Sequence, residues 1–229
     1  MREDRVIATR TTPTEAMENY VKAIYGLQRR AAGPVSTNAL AERLSVTPAS
    51  ASGMVKKLAE RGLASHVPYR GVELSPAGEA LALEVLRHHR LLELYLAESL
   101  GVPWDRVHDE AEVLEHVLSE ELEELIATKL GNPTHDPHGD PIPTRDLHID
   151  EVETSSLDEL GPGAKGTFVR VSDSDPEMLR WLAERGIAPG DRFEVTDRQP
   201  FGGPLFVRFG DEVHVLGGGL AQAMRIQPR

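Results

Sequence analysis

Two histidines and two glutamates are spaced so that one face of a helix would present all four. His108, Glu112, Glu115 and His116 stand at positions i, i+4, i+7 and i+8, and residues at these intervals share a helix face. Imidazole nitrogens and carboxylate oxygens are common ligands of divalent metals. Without a cation, two carboxylates on one face repel each other. The cluster therefore favours a metal site over a solvated acidic face with incidental histidines.

A second pair lies on the helix predicted before this one. His89 and Glu93 are again four residues apart, so they also share a face. The chain contains no cysteine, which excludes disulfides and every thiolate metal site. Any metal in this protein must therefore be held by nitrogen and oxygen.

The net charge of −12, taken over the whole chain, argues against a nucleic-acid partner, but the charges are unevenly distributed. Residues 1–75 carry eleven basic and seven acidic side chains, whereas residues 76–150 carry five and seventeen. The first segment can meet a polyanion while the second concentrates carboxylates. The polar start has no signal core and no apolar run is long enough to cross a bilayer, so we expect a cytoplasmic protein without membrane contact.

Residues 1–75 are expected to form a winged helix-turn-helix domain. Apolar periodicity predicts a helix over 16–29, a short helix over 37–44 capped by Ser36, and a third helix over 48–61. A three-residue turn between the second and third helices is typical of the helix-turn-helix motif. Residues 66–74 then alternate as two short strands around a turn, which predicts a wing.

The predicted third helix begins with small and hydroxyl-bearing side chains that suit a DNA major groove. Such residues let the helix backbone approach base edges, and lysines further along can reach phosphates. The alternative is a plain helical bundle with a solvated surface. The expected DNA contacts are Thr47, Pro48, Ala49, Ser50, Ser52, Lys56, Lys57 and Arg70.

The middle of the chain is predicted to contain two long helices, over 76–101 and 104–130. Their apolar faces are broader than the first domain could cover, so we expect them to pair across a two-fold axis in a homodimer. Residues 131–153 are rich in proline, aspartate and histidine, as in a linker. His135, Asp136 and His138 in this stretch are also candidate metal ligands.

The remainder, residues 151–229, is expected to form a small β-barrel. Short strands alternate from residue 164 onward, one helix follows the capping residue Asp175, and the glycines at 217–219 are predicted to form a turn. The fold class is therefore mainly α with a small β domain. The predicted domains are 1–75, 76–150 and 151–229.

Several runs of this sequence resemble the diphtheria toxin repressor family of metal-dependent regulators, in particular its manganese-responsive branch. The similar runs lie at 12–25, 41–58, 88–93, 108–116 and 131–139, and the likeness extends into the C-terminal barrel. The resemblance implies a winged helix-turn-helix, a helical dimerisation domain and an SH3-like or FeoA-like barrel. It also implies a metal-loaded homodimer that binds palindromic operator DNA and represses metal-uptake genes, and it implies no enzymatic activity.

The resemblance also implies which residues hold metal. A primary site would use Asn19 with three residues of the second helix, and a second site would lie between the helices, the linker and the barrel. In that second site an acidic barrel residue, Asp173 or Glu177, would complete the ligands. The primary set is Asn19, Glu112, Glu115 and His116; the second is His89, Glu93 and His108 with Asp136, His138 and Asp173 as further candidates.

Two departures from the family pattern bear on the metal. Iron-responsive relatives tend to have cysteine at the position of Glu112 and methionine at that of Asn19, so the harder oxygen ligands here favour Mn(II). Manganese-responsive relatives usually have aspartate where Asn19 stands, which leaves Glu18 as an alternative ligand. Fe(II) remains the alternative ion, and Zn(II), Co(II) or Cd(II) are expected to bind in vitro.

Two functions of other classes remain open. A metallohydrolase could use the same His/Glu cluster, but it needs an open coordination position and a general base, and the sequence has no His-Glu-x-x-His motif. A winged-helix regulator could instead sense a small molecule, with the acidic cluster serving only the structure. Its DNA binding would then be indifferent to chelators.

Overall fold

The computed structural model describes residues 13–31, 33–67, 70–150 and 152–229. Its contacts divide the chain into two compact units, Met1–Val85 and Leu86–Arg229. The boundary falls within one long helix. Three positions of the predicted motifs, Thr12, Pro68 and Tyr69, lie outside the described residues.

The first unit contains the predicted helix-turn-helix and wing. Its elements are α1 (Glu15–Ala31), α2 (Thr37–Arg43), α3 (Pro48–Glu60) and the antiparallel strands β1 (Ala64–Val67) and β2 (Gly71–Leu74).

Capping side chains set the start of the second and third helices of this unit. Ser36 Oγ accepts from the Ala39 amide at 3.1 Å, and Thr47 Oγ1 accepts from the Ser50 amide at 3.1 Å. Each bond satisfies an amide that has no partner within the helix. The predicted cap at Ser36 is confirmed, and α3 begins where the sequence predicted.

The wing is tied to the segment before α2. Val35 and Val72 form a β-bridge, and the Gly71 backbone passes so close to it that an added Cβ would lie 2.0 Å from the Val35 carbonyl oxygen. Gly71 also has a φ of +122°, which side-chain-bearing residues rarely adopt. Only glycine fits this position.

The second unit begins inside α4 (Pro76–Leu100), which is followed by α5 (Val107–Leu114) and α6 (Glu120–Lys129). The prediction of one helix over 104–130 is wrong, because the chain turns between α5 and α6. Ser119 caps α6 by accepting from the Leu122 amide at 3.3 Å. Glutamates in the first turn of α6 add a favourable interaction with its helix dipole.

The C-terminal part of this unit is a small antiparallel sheet with two short helices. The strands are β3 (Ser155–Ser156), β4 (Lys165–Val171), β5 (Arg192–Arg198), β6 (Leu205–Phe209), β7 (Glu212–Leu216) and β8 (Met224–Pro228), in the order β3-β8-β4-β5-β6-β7. The helices are α7 (Pro176–Ala183) and α8 (Gly218–Ala223), and a 3-10 turn spans Leu157–Glu159.

The N-terminal caps of α7 and α8 test two predictions made from the sequence. Asp175 caps α7 by accepting from the amides of Glu177 and Met178, as predicted. The predicted glycine turn at 217–219 is wrong, since Gly217 is the N-cap of α8. The sheet closes over a core that includes Phe168, and the fold class predicted from the sequence is confirmed. Among the described residues, no helix is both long and apolar enough to span a membrane.

Candidate metal centre

The predicted ligands in the second unit are ionisable side chains, yet several of them are buried. His89 and Glu93 lie on α4, and His108 lies on α5. Glu93 is only 1% exposed and His89 only 5%. Burial of a carboxylate costs free energy unless positive charge or hydrogen bonds compensate, so the neighbours of Glu93 decide what this region can bind.

One group of donors gathers around Glu93. His89 Nε2 lies 3.0 Å from Glu93 Oε1 and 3.1 Å from His108 Nδ1. His108 Nδ1 in turn lies 3.0 Å from Asp173 Oδ2, just beyond β4. One ligand atom from each of these four residues falls within 4.8 Å of the others. Two carboxylates and two imidazoles at this spacing can share a single cation.

A second group surrounds Glu115, which caps the end of α5. Its Oε2 is hydrogen-bonded to His89 Nδ1, and its Oε1 lies 3.3 Å from His116 Nε2. Glu112 Oε1 is 3.9 Å from His89 Nδ1 and 3.8 Å from His108 Nε2. The predicted ligands Glu112, Glu115 and His116 are thus close together. His89 connects this group to the first, one ring nitrogen facing each.

Asn19, the remaining predicted ligand of the primary set, lies half-buried on α1 in the first unit. Glu18, its alternative, is also half-buried. Their role as ligands stays a prediction from the sequence.

A third group, formed by Glu93, Asp136 and His138, contains an unsatisfied nitrogen. His138 is fully buried, and its Nε2 donates to the Trp104 carbonyl at 2.8 Å, because a carbonyl oxygen can only accept. Its Nδ1 lies 3.8 Å from Glu93 Oε2 and has no hydrogen-bond partner in the described part of the chain. A cation placed between this nitrogen and the carboxylate would satisfy both.

Asp136 is fixed by its own loop. Its Oδ1 accepts from the amides of His138 and Asp140, each at 2.9 Å. Burial, together with the negative charges of Glu93 and Asp140, raises the pKa of Asp136 to about 8. Near pH 7 the Asp136 carboxyl group is therefore largely protonated and uncharged. A bound cation would favour its ionised form, the carboxylate.

Without a metal, protons on the histidines balance the negative charges of the carboxylates in these groups. Hydrogen bonds to Asp173 and Glu93 raise the pKa of His108 to about 10. Burial opposes the protonation of His138, but its interaction with Glu93 raises its pKa to about 9. Burial would raise the pKa of Glu93, yet its interactions with His108, His138 and His89 hold that pKa well below its usual range.

The donor set therefore fits a hard divalent cation. Carboxylate oxygens and imidazole nitrogens converge, the positive charge is already present as protons, and one buried nitrogen has no hydrogen-bond partner among the residues described. A metal ion would replace those protons, as is usual when histidine becomes a ligand. Of the two barrel acids considered from the sequence, Asp173 reaches His108, whereas Glu177 lies in the first turn of α7.

The predicted DNA contacts all lie on the surface of the first unit. They cluster at the start of α3, on its exposed side and at the wing turn, while the buried side of α3 carries Ala51, Val55 and Leu58. The exposed residues are Thr47, Pro48, Ala49, Ser50, Ser52, Lys56, Lys57 and Arg70.

Large apolar side chains remain exposed on and beside α5 and α6. Val113 is 72% exposed, Val117 78% and Leu125 61%. Several such side chains on one pair of helices are typical of a protein–protein interface.

Two neighbours of the ligands were not predicted. The Trp104 carbonyl orients His138, and Glu123 on α6 is buried although it stands in a run of glutamates. A signal for Glu123 existed, because it shares a helix face with Ile126 and Ala127, both buried. The backbone carbonyl carries no sequence signal.

Comparison with known proteins identifies the family. Iron-dependent repressor IdeR of Mycobacterium tuberculosis is 32% identical over 225 residues, covering 93% of this chain and 97% of that protein. The diphtheria toxin repressor of Corynebacterium glutamicum is 29% identical over 223 residues, covering 93% and 96%. The chain belongs to the diphtheria toxin repressor family. The resemblance predicted from the sequence is thereby confirmed.

Family models match three consecutive parts of the present chain. The iron-dependent repressor N-terminal DNA-binding domain matches residues 13–72, its metal-binding and dimerisation domain matches residues 75–144, and the FeoA domain matches residues 155–228. Among solved structures, a manganese-dependent transcriptional repressor in complex with manganese shares 41% identity and a TM-score of 0.85. The match covers 93% of this chain and all of the other.

Membership of the diphtheria toxin repressor family fixes the general function. The protein is a metal-dependent, DNA-binding transcriptional repressor and not an enzyme. Its DNA-binding and dimerisation domains make DNA and a second copy of the chain its partners. The metallohydrolase considered from the sequence is thereby excluded.

Proposed function

We propose that this protein is a manganese-activated repressor of metal-uptake genes that controls manganese homeostasis. The observation that carries the proposal is the donor set of the second unit, which consists of carboxylate oxygens and imidazole nitrogens. Glu112 supplies a hard oxygen where a thiolate would favour softer ions, and the chain has no cysteine to replace it. Carboxylate-rich sites suit Mn(II), which accepts six-coordinate oxygen and nitrogen shells.

We assign the metal ligands to two sets. The primary set is Glu112, Glu115 and His116, with Asn19 as the expected fourth ligand. The second set surrounds Glu93. It comprises His89, Glu93, His108, Asp136, His138 and Asp173.

Within these sets the protein's residues perform distinguishable tasks. His108 and His138 release protons as the cation binds, because a ligating imidazole must be neutral at the coordinating nitrogen. Glu93 and Glu115 supply buried negative charge, which water cannot screen. The bound cation supplies the positive charge that histidine protons provide in its absence.

Metal binding and DNA binding are proposed to be linked. If the metal-loaded protein binds operator DNA more tightly, operator DNA must tighten metal binding by the same factor. The exposed start of α3 is proposed to read base edges, with Lys56 and Lys57 on phosphates. Since the protein is a dimer, its operator is expected to be a palindrome. Residues 1–75 would bind DNA, 76–150 would hold metal and the dimer, and 151–229 would form the β domain.

Repression by Fe(II) is the second candidate function. Its support is the name of the curated relatives, which are called iron-dependent repressors. The intrinsic affinity of a given site rises from Mn(II) to Fe(II) and onward to Co(II), so affinity in vitro alone cannot identify the physiological ion. Zn(II), Co(II) and Cd(II) are likewise expected to bind in vitro.

The test is recovery of genomic DNA fragments by the purified dimer with Mn(II), with anaerobic Fe(II) or with chelator. We expect a palindromic site to be enriched only with metal, and Mn(II) to suffice at the free concentration found in the cell. Glu115→Gln should lose this enrichment, whereas Glu110→Gln, an exposed glutamate of the same helix, should keep it.

Each other outcome points to a definite alternative. Enrichment with Fe(II) but not with Mn(II), both at cellular free concentrations, would assign the protein to iron. Enrichment that is indifferent to chelator would favour a regulator that senses a small molecule, and would reduce the His/Glu cluster to a structural role.

A further inference from the structure

His88 stands beside the proposed ligand His89 on α4 but contacts different groups. Its Nδ1 lies 3.1 Å from the main-chain carbonyl oxygen of Glu115, and its Nε2 lies 3.0 Å from Glu123 Oε2. The ring is 7% exposed. A carbonyl and a carboxylate both accept, so the ring donates toward the backbone of Glu115 through Nδ1.

The position of the carbonyl that His88 contacts affects the orientation of two proposed ligands. It belongs to the peptide that joins Glu115 to His116, the two adjacent ligands of the primary set. It also lies just past the last residue of α5, where carbonyl groups have no intrahelical donor. Rotation of this peptide changes the ψ of Glu115 and the φ of His116 together, and thus the direction of both side chains.

Glu123 holds His88 in place from the opposite side. Its Oε1 accepts from Arg87 Nε while its Oε2 faces His88. Burial alone would raise the pKa of Glu123, but the hydrogen bonds from His88 and Arg87 lower it. Arg87 Nη1 also donates to the Pro143 carbonyl at 2.7 Å. The network therefore joins α4, α6 and the linker.

We propose that His88 is a positioning residue for the metal: through its Nδ1–H it fixes the peptide between Glu115 and His116. The inference rests on the proposed function, in which these two residues are ligands. Loss of a group that orients a metal ligand typically weakens metal binding by about 10- to 100-fold. His88 itself need not touch the metal.

The test compares three substitutions of His88 in the full chain. The amide nitrogen of Asn occupies the place of Nδ1, whereas the longer side chain of Gln places its amide near the position of Nε2. We expect His88→Asn to keep the Mn(II) dissociation constant within about threefold of the original, and His88→Gln and His88→Leu to weaken it by about 10- to 100-fold. His148→Gln, at an exposed histidine, is the matched control and should leave the Mn(II) dissociation constant unchanged.

Two measurements separate positioning from a general loss of stability. Mn(II) titration followed by electron paramagnetic resonance gives the affinity, and denaturant unfolding in chelator gives the free energy of unfolding without metal. Positioning predicts that Asn and Gln variants of similar unfolding free energy differ in Mn(II) affinity. If Leu prevents folding, the comparison between Asn and Gln still decides the question.

Equal Mn(II) affinity in the original protein and all three variants would overturn the positioning role, and so would equal weakening in Asn and Gln. If the original protein bound no Mn(II) at micromolar concentration, the proposed function would fail instead.

Discussion

His108 Nδ1 lies 3.0 Å from Asp173 Oδ2, although the two residues belong to different layers of the second unit. His108 is in the first turn of α5, and Asp173 follows the last residue of β4. The hydrogen bond to Asp173 is the largest cause of the raised pKa of His108. The sheet thus reaches into the helical layer at the group around Glu93.

Asp173→Asn tests whether this carboxylate is a metal ligand. We expect the Mn(II) site around Glu93 to lose about tenfold or more in affinity, because an amide oxygen carries no charge and cannot bind as a bidentate ligand. Free Mn(II) measured by electron paramagnetic resonance gives both site classes in one titration. Asp211→Asn makes the same change in an exposed turn and should leave the isotherm unchanged. An unchanged isotherm for Asp173→Asn would mean that Asp173 serves only as the partner of a protonated His108.

The stability of the metal-free protein is expected to fall as pH rises above 6.5. The pKa of His108 is raised to about 10 and that of His138 to about 9 in the folded state. A raised pKa contributes stability that is fully present below the unfolded pKa, near 6.5, and that is lost as pH approaches the folded value. The raised pKa of Asp136, about 8, acts in the same direction.

Bound metal should reverse this dependence of stability on pH. Because Mn(II) displaces protons from His108 and His138, its apparent association constant should rise about tenfold per pH unit for each proton released. Thermal unfolding at pH 6.5, 7.5 and 8.5 measures both effects, once in chelator and once in saturating Mn(II). A melting temperature in chelator that rises over this range would contradict the assigned protonation states.

Local chemistry made two of the helix starts in this fold predictable. Ser36 and Asp175 each precede a helix and accept from its first amides, an arrangement that requires only neighbouring residues. That the proposed metal ligands of α4, and those of α5, lie close to one another was predictable for the same reason. His89 with Glu93, and His108 with Glu112, need only the helical repeat to share a face.

The break between α5 and α6 could not be predicted from periodicity. Apolar residues continue at helical steps through Leu114, Val117 and Leu118 to Leu122, so the pattern gives no sign of a turn. A serine such as Ser119 is tolerated inside helices as well as at their starts. Contacts from distant residues favour the turn, among them the bond of His88 to the Glu115 carbonyl.

The long-range part of the site depends on packing. The sequence offered both Asp173 and Glu177 as acidic residues of the barrel, and only the folded sheet brings Asp173 to His108. The partner of His138 Nε2 is a backbone carbonyl, that of Trp104, which every residue possesses. Composition and spacing cannot distinguish such a partner.

Leu125→Glu is expected to separate dimerisation from metal binding. Leu125 is 61% exposed on α6, and the apolar side chains of Val113 and Val117, on and just after α5, are exposed as well. Burying a leucine contributes about 2 kcal/mol, and a two-fold interface uses each residue twice, so the dimer should weaken by at least about 100-fold. Sedimentation at micromolar concentration should show a monomer.

This monomer should still bind Mn(II) within about threefold of the original affinity, because Leu125 is not one of the proposed metal ligands. Its affinity for the recovered operator should fall steeply, since each copy would then occupy a half-site alone. Val213→Glu makes a similar change at an exposed apolar residue of β7, away from α5 and α6, and is the matched control. A Leu125→Glu protein that stays dimeric would mean that the second copy binds to a different surface.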